Sequence, residues 1–307
     1  MNKTGERSVR SARAGRGRRI MVEVAVALVV GYGAMCGLLF FGQAKQVYFP
    51  DRVVSATPAD AGLKFEQVRV ATADGETLAA WYVPAGGAGN VGRTVLYCHG
   101  NAGDIGDRVS HVVELHRAGF DVMVFDYRGY GESTGRPTEE GTYLDAGACW
   151  DHLVTKRGIP AETIVLYGHS LGGAVAAVQA SRSRPGLLVI EGTFSSASDM
   201  AAAMFPWLPS RVLCRFRYDA LDAVSRVNCP IVVAHSRDDE MIPYAMGRRL
   251  FDAALEPKRF VELRGGHDES GLGYDAGYLR VIVDSATNMT WRGEASGRSA
   301  AGAKTGP

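Results

Sequence analysis

The sequence is poor in the features that would staple, charge or metallate a fold. Its five cysteines, Cys36, Cys98, Cys149, Cys214 and Cys229, form no CxxC pair and follow no regular spacing. A disulfide framework is therefore not expected, and a chain of this length buries a core without one. One bridge, for instance between Cys214 and Cys229, stays open for an oxidising compartment. A charge excess of one sign is also missing. Thirty-four basic residues face 33 acidic ones, a net charge of +1, which gives no footprint for nucleic acid. There is no phosphate-cradling P-loop, no dinucleotide fingerprint and no internal repeat. His111 and His116 lie on a helical pattern, and no histidine pair has metal-ligand spacing with a supporting carboxylate. The expectation is a protein without metal, cofactor or nucleic-acid partner.

What is present begins with an uneven charge. Lys3, Arg7, Arg10, Arg13, Arg16, Arg18 and Arg19 crowd the first 19 residues, opposed only by Glu6. From Ile20 to Phe41 follows IMVEVAVALVVGYGAMCGLLFF, 22 residues with one charge, Glu23, close to its start. At ~1.5 Å per residue such a helix spans the ~30 Å hydrocarbon core of a bilayer. It is longer than the ~7–15-residue apolar region of a cleaved signal peptide, so an uncleaved anchor is favoured. Gly42 and Ala44 keep signal-peptidase cleavage as the alternative. Cys36 follows Met35 and does not read as a lipoprotein site, and Arg18-Arg19 lacks a twin-arginine continuation. The positive-inside rule puts residues 1–19 in the cytoplasm and everything beyond Gly42 outside it. Gly33 and Gly37 form a GxxxG, a weak signal for paired anchors in a glycine-rich chain.

Past the anchor, continuously apolar, β-branched runs at 65–72, 78–84, 94–99, 121–127, 163–169, 187–192, 230–236 and 259–265 read as strands buried on both faces. Helical patterns near 106–118, 138–157, 171–183, 244–255 and 274–289 separate most of them. The first two strands read as a hairpin around Asp74-Gly75. The rest alternate with helices, which argues an α/β fold with a mostly parallel sheet and right-handed crossovers. Residues 193–229 are too long for a simple βα connection and carry Phe205, Trp207 and Phe216 among prolines, as a lid or an aromatic-pinned surface loop would. The tail 293–307, rich in Gly, Ala and Ser, reads as disordered.

Two stretches match G-x-S-x-G: Gly168-His169-Ser170-Leu171-Gly172 and Gly131-Glu132-Ser133-Thr134-Gly135. The motif works where the serine sits on a sharp turn between a strand and a helix. Ser170 directly follows TIVLYGH and opens LGGAVAAVQA, whereas Ser133 lies in a loop ahead of Pro137. Ser170 is therefore the expected nucleophile. Its hydroxyl needs a base, and only His235 and His267 follow it. His267, in the glycine-rich RGGHDES just past the last strand, can swing over the sheet edge; His235 lies inside a strand, where packing is its expected role. The acid that orients the imidazole has three candidates, Asp238, Asp239 and Glu191. An oxyanion needs two backbone N–H donors. Leu171 supplies one, and Asn101, in the loop His99-Gly100-Asn101-Ala102-Gly103, supplies the other. His99 reads as a loop-shaping side chain. Asp126, Arg128 and Glu132 in DYRGYGES are expected to hydrogen-bond loop backbone beneath the site.

Together HGNAGDIGDR (99–108), DYRGYGESTGRPTEEGTYLDA (126–146), GHSLGG (168–173), HSRDDEMIP (235–243) and GGHDE (265–269) resemble the α/β-hydrolase superfamily. The resemblance spans roughly residues 45–290. Within the superfamily the chain resembles a branch of membrane-anchored serine hydrolases found in bacteria and eukaryotes. In that branch the acid lies four residues before the proline of a D-x-x-[VI]-P turn, which implies Asp239, although Ser236 stands where the pattern usually has glycine. The resemblance implies an eight-stranded hydrolase sheet and cofactor-free hydrolysis of an acyl ester or thioester. The substrate would be a small molecule, a lipid or an acylated protein. A peptidase of the prolyl-oligopeptidase type shares the fold, but no acidic pair placed to hold a peptide amino terminus can be read. A non-catalytic scaffold would not need both oxyanion loops and the Ser–His–Asp set.

Overall fold

A computed structural model of the chain describes residues 3–86 and 89–288, with the side chains of residues 3–15 and 17 outside the description. The expected disordered tail, 293–307, lies outside the described residues. The chain divides between Gln43 and Ala44 into two units. The first is one helix, α1 (Lys3–Gly42). Within it Arg18–Gly42, 25 residues containing an 18-residue stretch of mean hydropathy 2.3 with none of it buried, is long and apolar enough to cross a membrane. Glu23 pairs with Arg19 one turn back at 2.9 Å, so the acid of the apolar run is neutralised at its basic end.

The second unit opens with a turn of helix, α2 (Ala44–Val47), and a two-residue strand, β1 (Phe49–Pro50). Its body is an eight-stranded sheet. The strands are β2 (Glu66–Ala71), β3 (Thr77–Val83), β4 (Thr94–Cys98), β6 (Asp121–Phe125), β7 (Ile164–His169), β8 (Leu187–Glu191), β9 (Ile231–Ser236) and β10 (Lys258–Leu263), in the order β10-β9-β8-β7-β4-β6-β3-β2. All eight expected strands are present, with ends moved by at most one residue except that β6 closes at Phe125 rather than 127 and β10 at Leu263 rather than 265. The hairpin β2–β3 pairs antiparallel about Asp74-Gly75, and β3 also meets β6 antiparallel; the remaining ladders are parallel.

The central strands β4, β7, β8 and β9 are buried at every position because helices cover both faces. Leu96, Leu166, Leu188 and Val233 point to one core, under α4 (Glu139–Asp151) and α5 (Leu171–Arg182). Their neighbours Val95, Val165, Val189 and Val232 point to the other, under α3 (Val109–Arg117) and α10 (Ala276–Asn288). The helix expected over 138–157 is α4 followed by a wider π-type turn, His152–Lys156. The long connection 193–229 holds three short helices that its sequence did not announce: α6 (Ala197–Met204), α7 (Ser210–Leu213) and α8 (Ala220–Ser225). A further helix, α9 (Tyr244–Ala253), links β9 to β10. Equally unannounced is β5 (Ala102–Gly103), which pairs with β1. All five cysteines are free thiols, so Cys214 and Cys229 do not bridge. Cys229 is buried, and the Cys214 thiol donates to the Phe216 carbonyl at 3.2 Å.

Candidate active site

Ser170 closes β7 and opens α5, with φ 55° and ψ −121°. That is left-handed backbone for a side-chain-bearing residue, a strain of about 1–3 kcal/mol that only a rigid surround can hold. The surround is a set of hydrogen bonds. Ser170 N–H donates to the Glu191 carbonyl of β8 at 2.9 Å, and the Ser170 carbonyl accepts from Gly173 N–H and from Thr193 Oγ1. The glycines of the motif follow from close approach. A Cβ on Gly168 would collide with the backbone of Gly172, and one on Gly172 with the carbonyl of Cys98 on β4.

Against this turn the structure brings two residues from other strand ends. His267, in the loop after β10, sets Nε2 3.0 Å from Ser170 Oγ and Nδ1 2.8 Å from Asp239 Oδ2. With Asp239 accepting at Nδ1–H, the tautomer follows: Nε2 is the acceptor of the serine proton. Asp239, in the turn after β9, is fixed in its own right, because its Oδ1 accepts from the N–H groups of Met241 and Ile242 at 2.9 and 2.7 Å. Burial would depress the His267 imidazolium, but the hydrogen bond and charge of Asp239 outweigh it and raise its pKa above the ordinary value. Burial would raise Asp239, yet its hydrogen bonds, led by those of His235 and His267, hold it well below the usual carboxylate range.

The rival acids lie elsewhere. Asp238 is exposed and faces Arg264 and the N–H of Gly265. Glu191 is buried against the Tyr167 phenol, 4.0 Å from His169 Nε2, and burial pushes its carboxyl up to about 7. The rival nucleophile is also committed: Ser133 Oγ accepts from Ala79 N–H at 2.8 Å and donates to the Asp126 carbonyl at 2.7 Å. His235 is buried as expected but does more than pack. Its Nε2–H donates to the Ile242 carbonyl at 3.0 Å and lies 3.4 Å from Asp239 Oδ2, bracing the acid from behind. Its position four residues before Asp239 was the available signal. Ser236, the departure from the family glycine, donates to the Gly265 carbonyl at 2.5 Å and accepts from Asp238 N–H. The hydroxyl thus ties the acid turn to the histidine loop.

Leu171 is the first helical residue of α5, so its N–H has no intrahelical acceptor and sits at the positive end of the helix. The loop after β4 faces it: a Cβ on Gly100 would lie 3.6 Å from the Ser170 Cβ. Asn101 is held there by its carbonyl, which accepts from Phe49 N–H and the Tyr130 hydroxyl, and by its side-chain amide, which donates to the Val47 carbonyl. His99 shapes the same loop. It is fully buried, donates Nδ1–H to the Gly100 carbonyl at 2.7 Å, and burial lowers its pKa to about 3, which keeps it neutral. Of the DYRGYGES residues, Asp126 accepts from the Ile105 N–H as expected. Arg128 instead grips two carboxylates, Asp74 and Asp145, and Glu132 pairs at the surface with Arg69. The reason is distance along the chain: their partners come from β2–β3 and α4, which loop spacing does not reveal.

Beside His169, the residue before Ser170, opens a cavity of about 290 Å³, walled by Arg108, His111, His169, Glu191, Asp268 and Tyr274 among others. His169, His267 and Asp268 place ligand atoms within 4.8 Å of one another, a metal-capable group that linear spacing conceals. Both ring nitrogens of His267 are, however, already engaged by Ser170 and Asp239. A metal there would compete with both contacts.

The sheet order, the strand–turn–helix serine and the loops gathered at the strand ends define an α/β hydrolase. Comparison with known proteins agrees: a family model for the alpha/beta hydrolase fold matches residues 93–212. The chain is 31% identical over 274 residues to the alpha/beta hydrolase domain-containing protein WAV2 of Arabidopsis thaliana, covering 80% of this chain and 89% of that one. It is 35% identical over 255 residues to the uncharacterized protein Rv2307c of Mycobacterium tuberculosis, covering 83% and 90%. Among solved structures, the Pyrococcus furiosus esterase Pf2001 matches with TM-score 0.64 at 19% identity, over 78% of this chain and 96% of that one. The chain belongs to the α/β-hydrolase family.

Proposed function

We propose that the protein is a serine hydrolase that cleaves an acyl ester or thioester through Ser170, His267 and Asp239. The observation that carries this reading is the unbroken hydrogen-bond relay from Ser170 Oγ through His267 to Asp239, at 3.0 and 2.8 Å, starting from a serine in strained backbone. Ser170 Oγ attacks the acyl carbonyl as its proton passes to His267 Nε2. Asp239 steadies the imidazolium. The oxyanion is held by the N–H groups of Leu171 and Asn101. His267 then protonates the leaving alcohol or thiol, and water, deprotonated by the same imidazole, resolves the acyl-enzyme. No cofactor is required by this chemistry. The esterase activity named for a fold neighbour supports the hydrolytic class.

In the same reading residues 20–41 are an uncleaved membrane anchor behind a basic cytoplasmic segment, residues 45–290 form an extracytoplasmic hydrolase domain, and residues 193–229 are its lid. A fluorophosphonate probe tests the chemistry. Wild type and Ser133→Ala should label alike while Ser170→Ala stays blank; equal labelling of Ser170→Ala, or a folded wild type that never labels, refutes the assignment.

A further inference from the structure

The segment from 193 to 229 is fixed at its base and bare at its apex. Ala197 N–H donates to the Arg217 carbonyl and Leu221 N–H to the Ser195 carbonyl, both at 2.9 Å, which closes the base. Glu139 of α4 accepts from the N–H groups of Arg217 and Tyr218, and locks it to the domain. The apex shows large apolar groups instead: Met204 is 56% exposed, Trp207 57% and Val212 83%. Burial that a soluble domain would ordinarily give such side chains is withheld here at three neighbouring positions. Basic side chains dominate around them: Arg211 reaches Asp199 at 3.3 Å yet stays 73% exposed. Between Asp199 and Asp219 the sequence carries Arg211, Arg215 and Arg217 and no acidic residue.

The chain also decides where this segment is held. Tyr48 is buried, its hydroxyl 2.7 Å from that of Tyr218 and its ring 5.6 Å edge-on from Phe216. Tyr48 therefore belongs to the base of the segment. It follows the end of the apolar helix at Gly42 by six residues, a covalent reach of at most ~20 Å. If that helix spans a bilayer, the base of the segment cannot leave the neighbourhood of its surface. An indole flanked by apolar side chains and arginines is the composition that settles at the headgroup layer of an anionic membrane.

We infer that residues 204–212 are a membrane-docking surface, with Met204, Trp207 and Val212 entering the bilayer interface and Arg211 and Arg215 facing anionic headgroups. The inference rests on the anchor reading and is independent of the serine mechanism. Its occupant is the lipid surface itself. Because the segment leaves the sheet beside Ser170, from the end of β8, docking sets the rim of the active site against the acyl layer. The substrates it favours are acyl groups presented by the membrane.

The test uses the full chain in vesicles of anionic phospholipid with brominated acyl chains, reading tryptophan emission. Of the four tryptophans, Trp81 and Trp150 are buried in the domain and Trp291 lies outside the described residues, so the difference between wild type and Trp207→Phe isolates the Trp207 signal. Fluorophosphonate labelling or thermal unfolding equal to wild type verifies that the variant is folded. The expected result is loss of most of the Trp207 component on brominated lipid, and a smaller loss when the lipid is neutral. A Trp207 component untouched by bromine, in protein that floats with the vesicles, overturns docking and leaves the anchor standing. Equal quenching on neutral lipid overturns the role of the arginines, and protein that does not float overturns anchor and docking together. A protein that docks yet hydrolyses no ester would leave the docking surface standing and remove the serine mechanism together with the substrate preference built on it.

Discussion

At the scale of single residues, the proposed mechanism has Asp239 set the pH at which His267 acts. General-base catalysis needs the neutral imidazole, so kcat/KM rises with pH through the His267 pKa. Burial pulls that pKa down and Asp239 more than restores it, placing it above the ordinary imidazole value. In Asp239→Asn burial remains and the opposing charge is gone, so the acidic limb of the pH–rate profile should move to lower pH. Activity should also drop on the order of 10⁴-fold as the tautomer is lost. A profile measured with a soluble short-chain ester checks both; a limb that stays in place would mean that His267 is not the titrating base. Ser133 gives the complementary case. Its hydroxyl both accepts and donates in the core, so Ser133→Ala should cost about 1–3 kcal/mol of stability while leaving activity intact. Thermal unfolding and ester turnover, measured side by side, separate the two.

At the scale of elements, Arg128 joins parts of the domain that are far apart in sequence. Its guanidinium, 8% exposed, meets Asp74 in the β2–β3 turn and the fully buried Asp145 of α4. Arg128→Met leaves Asp145 buried without its partner, which should cost about 3–5 kcal/mol. The sign of the pH dependence follows. Burial already raises Asp145 to about 6, with Arg128 holding it down; without the arginine its folded pKa climbs further above the unfolded value. Stability is then lost as pH rises, so the deficit of Arg128→Met should be larger near pH 8 than near pH 5. Denaturant titrations at the two pH values decide it. Arg128 also marks how far the sequence could be read. The strands were legible because central strands covered on both faces are continuously apolar, as in TIVLYGH and PIVVAHS. The contact between Ser170 and His267 was legible from motif and chain order. That Asp239 rather than Asp238 meets His267 needed the family pattern, since two adjacent carboxylates differ only in which way the turn aims them. The pair β1–β5 is too short to carry a period. The carboxylate partners of Arg128 and the brace from His235 depend on contacts that linear spacing does not encode.

At the scale of the whole molecule, the segregation of charge and hydropathy makes the strongest claim about where the chemistry happens. Seven cations precede the apolar helix within the first 19 residues, while the remainder of the chain is net acidic. The span Arg18–Gly42 offers no buried position to a soluble core. If it anchors the protein with its basic end in the cytoplasm, Val53, which is 74% exposed, faces outward with the rest of the domain. A membrane-impermeant maleimide applied to spheroplasts reads this directly against the background of the native thiols, of which Cys98, Cys149 and Cys229 are buried. Val53→Cys should label in intact spheroplasts, and Val9→Cys only after permeabilisation. The opposite pattern would invert the topology and place the hydrolase in the cytoplasm. A Val9→Cys chain that shortens and never labels would mean that the helix is a cleaved signal. In that outcome the domain loses its tether, and the exposed Trp207 surface must find the membrane unaided.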